Sequence, residues 1–196
     1  YENKVLYAQV TINANDPMKA QSIALRKVMK TVSILGYMFK NSVNFHIERV
    51  EELDAQGKVV SSMSSIEASL YVRKQISQTE VSEMSRLLKL MEVESDLVNV
   101  MLYANQPDFK TWRVLSNVYE IIDHNANIKQ QAWIVKKNRN LFNQTANHPA
   151  ASGLGARHGY QKNDPPENPM ELEDAISLIN NLIEKWIEYL LSKHNL

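Results

Sequence analysis

Between Asp123 and Asp164 the chain has no acidic residue, yet it carries Lys129, Lys136, Lys137, Arg139, Arg157 and Lys162 together with His124, His148 and His158. That is the charge pattern of an anion site. At its centre, Asn147-His148-Pro149 and Gly155-Ala156-Arg157-His158-Gly159 replace apolar periodicity with small and polar residues, so imidazoles and a guanidinium share a short segment. Histidine exchanges a proton near neutrality, and arginine stays charged and can hold a phosphate through two parallel hydrogen bonds. RNA cleavage without a metal needs that combination: a base for the 2′-hydroxyl proton and a cation for the charge growing on phosphate. The loop residues that offer this chemistry are His148, Arg157 and His158. Lys129, Lys136, Lys137, Asn147 and Lys162 are the candidate nucleic-acid-binding residues, through salt-dependent contacts to phosphate. The competing reading is structural: Arg157 and His158 pin a long loop to the helices, and Asn147 fixes a turn. Glu120 and Asp123 fit a salt bridge that orients a loop arginine better than catalysis.

Other chemistries lack their parts. Without cysteine there is no disulfide framework, thiolate zinc site or thiol nucleophile. No carboxylate and no His-x-x-x-His on a helix completes a metal set around His148 and His158, so no metal and no cofactor is expected. The glycines of Ser152-Gly153-Leu154-Gly155 follow no strand and precede no Lys-Ser or Lys-Thr, which excludes a phosphate loop, and Ser152 has no nucleophile elbow. Lysine plus arginine equals aspartate plus glutamate, 22 each, so any attraction to nucleic acid is local. No apolar run is long enough to span a bilayer, and no signal pattern opens the chain, which reads as cytoplasmic.

The elements that must position these residues divide at about residue 75. Residues 1–75 predict a small α+β module. Val5 to Ile12 alternates as a strand, Asp16-Pro17 opens a helix that Gly36 stops, and Phe45 to Val50 pairs with Val59 to Met63 across Asp54-Ala55-Gln56-Gly57. Ile66 to Val72 alternates again. From Ser77, a capping-box pattern, the period becomes helical. Helices are expected from Val81, over Leu97 to Ala104, over Phe109 to Ile122 and over Ile128 to about Arg139. A basic loop, 143–168, precedes a final helix capped by Asn168 and carrying Ile176, Ile179, Ile183, Trp186 and Leu190. The fold class read from the sequence is α+β: a small antiparallel sheet with one helix, followed by a helical bundle over 76–196.

The second half, with Arg139-Asn140, then Asn147-His148-Pro149, then Gly155-Ala156-Arg157-His158-Gly159 and a proline-bounded last helix, resembles the HEPN-like domains of bacterial defence and toxin systems. The resemblance covers roughly Thr111 to the C-terminus. It implies a helical bundle, metal-independent ribonuclease chemistry with Arg139, Asn140 and His148 or His158 in the motif, and pairing across a homodimer. The N-terminal module is similar to the sensing or partner-recognition modules that precede such domains. The expectation is an RNA-binding protein with metal-free endonuclease activity. The rival is a non-catalytic interaction module that binds an acidic protein or a nucleotide through the same basic face.

Overall fold

The computed structural model describes residue 12 and residues 16–39, 49–54, 56–64, 78–106 and 108–196. Two compact units divide the chain, Tyr1–Lys89 and Leu90–Leu196.

In the first unit, α1 (Pro17–Phe39) starts where Asp16 accepts a hydrogen bond from the Met18 N–H at 2.9 Å and Pro17 takes the first helical position. The helix does not stop at Gly36. It runs through to Phe39, because an interior glycine costs only about 1 kcal/mol against alanine, and Val32, Ile34 and Leu35 are buried on this last stretch. Strands β1 (Arg49–Leu53) and β2 (Val59–Ser64) pair antiparallel. Their turn is tied by Asp54, whose carboxylate accepts from the Gln56 and Lys58 N–H groups at 2.9 Å, and Gly57 supplies the positive φ of 79°.

The expected α+β class with a small antiparallel sheet is corrected here: the protein is predominantly α-helical, and this isolated hairpin is all the strand pairing among the described residues. The alternation of Val59 to Met63 marks a local hairpin. A sheet also needs an apolar face with something to cover it, and Leu53, Val59 and Val60 are exposed. The strand expected over Val5 to Ile12, of which only Ile12 is described, the one expected over Ile66 to Val72 and the Ser77 cap lie outside the described residues.

α2 (Gln78–Val93) contains the boundary between the units. The second unit follows with α3 (Ser95–Ala104), α4 (Trp112–Ala126), α5 (Ile128–Gln131), α6 (Lys136–Asn147), α7 (Pro149–Ser152), a 3₁₀ turn at Gly153–Gly155 and α8 (Leu172–Lys193). α4 is its centre and packs against α3, α5, α6 and α8. The reason is its face: Leu115, Val118, Tyr119, Ile122 and Ala126 recur at three- and four-residue steps and are buried, as are Ile179, Ile183, Trp186 and Leu190 of α8. Each leucine, isoleucine or valine among them contributes about 1.5–3 kcal/mol when fully buried. Phe142 brings α6 onto the same core, with its ring centroid 5.4 Å from Tyr119 and 6.1 Å from Trp112.

The helix expected over Ile128 to Arg139 is two. Ala132 takes a left-handed φ of 54° and Val135 is extended, so α5 ends and α6 starts afresh. α6 then runs to Asn147, inside the segment expected to be loop. α8 begins three residues beyond Pro169, with Glu171 rather than Asn168 in the N-cap position. No helix among the described residues is long and apolar enough to cross a membrane.

Candidate nucleic-acid interface

The break before α6 creates an exposed basic turn. Val135 offers no side-chain cap, no acidic residue lies in the first turn, and Lys136, Lys137, Arg139 and Asn140 all fall at this end. Backbone N–H groups left unpaired at a helix start carry partial positive charge, and cations there cost about 0.3–1 kcal/mol each through the helix dipole. Lys136, Lys137 and Asn140 are exposed and Arg139 is half-buried. Among the described residues no ion pair forms at Lys136 or Lys137.

Arg139 lies close enough to the Tyr119 phenol to favour its ionised form. Burial nevertheless pushes that phenol above its ordinary value, aided by the Asp123 charge, and outweighs the hydrogen bond with Asn143 and the Arg139 cation. Lys129 is exposed on α5.

The remaining predicted residues gather at the other end of α6. Asn147 is its last residue and His148 its C-cap. Over the nine residue steps from Arg139 to His148 the helix rises about 13 Å, so these two do not meet along the helix. Both ring nitrogens of His148 are engaged with backbone. Nδ1 accepts from the Ala150 N–H at 3.1 Å, capping α7, and Nε2 donates to the Asn163 carbonyl at 2.8 Å. Both nitrogens are thus committed to backbone partners rather than turned toward a ligand.

Arg157 is also occupied. Its N–H donates to the Ala146 carbonyl at 2.9 Å and its guanidinium pairs with Glu120 at 2.5 Å, the orienting salt bridge expected for a loop arginine. Asp123 serves differently: its carboxylate caps α5 through the Ile128 N–H at 3.0 Å. Thr145 Oγ1 adds a third tether, accepting from the Met170 N–H at 3.0 Å. His158 and Lys162 are exposed on the loop these contacts hold.

Two features are not singled out in the sequence analysis. His194 Nε2 lies 2.6 Å from Glu94, and Lys193 reaches the same oxygen at 2.7 Å. No local pattern announces a pair separated by so much chain. Tyr160, inside the carboxylate-free stretch, is 75% exposed, and an aromatic within a basic stretch was the available signal. Comparisons with family models, with curated proteins and with solved structures found no match to this chain.

Proposed function

We propose that the second unit is a binding module for RNA, and that the first turn of α6 is where phosphate docks. The observation that carries this reading is the placement of Lys136 and Lys137, exposed and without ion pairs among the described residues, on an uncapped helix start. An anion there meets both the lysines and the free N–H groups, relieving a repulsion that the fold otherwise bears. Arg139 and Asn140 adjoin that turn, and Lys129 adds charge from α5.

Binding is favoured over cleavage because His148 and Arg157 hold the loop together. The acid–base role, if the HEPN-like resemblance extends to activity, falls to His158, the exposed imidazole of the pair. Titration of a labelled single-stranded RNA at several salt concentrations tests the reading. The Lys136→Ala/Lys137→Ala double variant is expected to bind more weakly and to lower the salt slope by about 1.4, at about 0.7 per phosphate contact. An unchanged slope would place the phosphate elsewhere. The same samples with EDTA, beside His158→Ala, test for metal-free cleavage.

A further inference from the structure

We infer that the loop between Arg157 and Asn163 is a base-stacking platform, with Tyr160 as the residue that reads unpaired bases and so restricts the ligand to single-stranded RNA. This rests on the RNA-binding reading above and adds the strand type and the residue that selects it.

The loop is held on both sides of Tyr160. Before it, Arg157 is tied by its backbone to Ala146 and by its guanidinium to Glu120. After it, the Asn163 carbonyl accepts from His148. A tethered loop that leaves a tyrosine 75% exposed gains no burial from that ring. In the chain, Tyr160 lies two residues from exposed His158 and two from exposed Lys162, and follows Gly159, around which a side chain would meet open space.

An aromatic flanked by cations matches the chemistry of single-stranded nucleic acid, whose bases offer a π-face and whose phosphates offer charge. In a duplex those faces are already stacked on one another, and an exposed ring finds none to cover. Leu154 is still more exposed, but it has no π-face to offer. The loop is anchored at the C-terminal end of α6 and the lysines sit at its start. The 12 residues of this helix span about 18 Å, compatible with single-strand sites that begin at about four nucleotides.

The test is fluorescence anisotropy of the full chain with labelled oligouridylate, the same strand annealed to oligoadenylate, and an abasic strand of equal length. The variants are Tyr160→Ala, Tyr160→Phe, Leu154→Ala and the double-lysine variant, each checked by circular dichroism. We expect Tyr160→Ala to bind oligouridylate about 10-fold more weakly, Tyr160→Phe and Leu154→Ala to match the wild type, and the abasic strand to be insensitive to Tyr160. If the lysine variant weakens binding while Tyr160→Ala does not, or if duplex binds as tightly as single strand, RNA binding stands and the platform is overturned. Equal losses in Tyr160→Phe and Tyr160→Ala would show that the hydroxyl acts rather than the ring, and would also overturn it. Absence of RNA binding by the wild type removes both readings.

Discussion

His148 shows how a residue with catalytic chemistry can be committed to the fold. One ring nitrogen caps α7 and the other clamps the loop at Asn163, so the side chain links two backbone segments. His148→Ala is expected to lower unfolding free energy by about 1–2 kcal/mol, read by urea denaturation, with RNA affinity falling only as far as the loop loosens. His148→Asn restores the cap but not the reach to Asn163, and should recover part of the loss. Half of this role was visible in the sequence, since a polar residue directly before Pro149 suits an N-cap. The other half depends on a carbonyl that only chain folding brings near. Arg157 was more readable: a guanidinium without local acids needs a partner, and Glu120 on the preceding helical face was the available carboxylate.

The elements that present the site are set by a break between two short helices. Ala132 adopts a left-handed backbone, which costs an L-residue with a Cβ roughly 1–2 kcal/mol and a glycine almost nothing. Ala132→Gly is therefore expected to raise stability by about 0.5–1 kcal/mol, after the glycine's larger unfolded-state entropy is subtracted. An unchanged or lowered melting temperature would argue that the left-handed turn is not retained. The opposite effect is expected at Phe142, which joins α6 to the Trp112 and Tyr119 rings. Phe142→Ala should cost about 3–5 kcal/mol and detach the basic turn from its support, so RNA affinity and stability should fall together. Apolar spacing located α4 and α8 well because their stripes are long. It merged α5 with α6 because the apolar and basic residues continue across the break, and nothing in Ala132 itself signals a positive φ.

At the scale of the whole second unit, Glu94, at the junction of α2 and α3, ties separate helices together. Its carboxylate meets Lys193 and His194 from the end of α8 and Asn125 from α4, and Asn125 in turn holds the Trp186 indole N–H at 3.0 Å. Burial raises the Glu94 carboxyl, but hydrogen bonds from His194, Lys193 and Asn125 outweigh it and leave it below the ordinary carboxylate value. The hydrogen bond with Glu94 raises the Lys193 ammonium above its ordinary value, against a smaller opposing effect of desolvation. Because the Glu94 value is depressed on folding, its stabilisation is present above about 4.5 and is lost as pH falls through the folded value. Lys193, raised on folding, stabilises fully below about 10.5 and loses that contribution as pH rises through its folded value. Glu94→Gln should flatten both edges of a stability-against-pH profile. At neutral pH it should cost about 1–2 kcal/mol, discounted from the full charge-assisted value because the Lys193 side chain is 45% exposed and its charge is screened. A profile unchanged by the substitution would remove Glu94 as the group responsible.

The sequence alone determined the helical character of the second half, the faces that α4 and α8 bury and the concentration of positive charge, because periodicity and composition are local quantities. Its local alternation located the second hairpin strand, Val59 to Met63, while the first, expected over Phe45 to Val50, runs over Arg49–Leu53; alternation carries no information about whether a sheet face will be covered, and so the α+β expectation failed. Tertiary structure decided which charges remain available. Whether an arginine or histidine is open to a ligand depends on carboxylates and carbonyls that arrive from distant parts of the chain: Glu120 for Arg157, Asn163 for His148, and Glu94 for His194. Lys136 and Lys137 stay exposed because they fall on the start of a helix that sequence periodicity had merged with its neighbour.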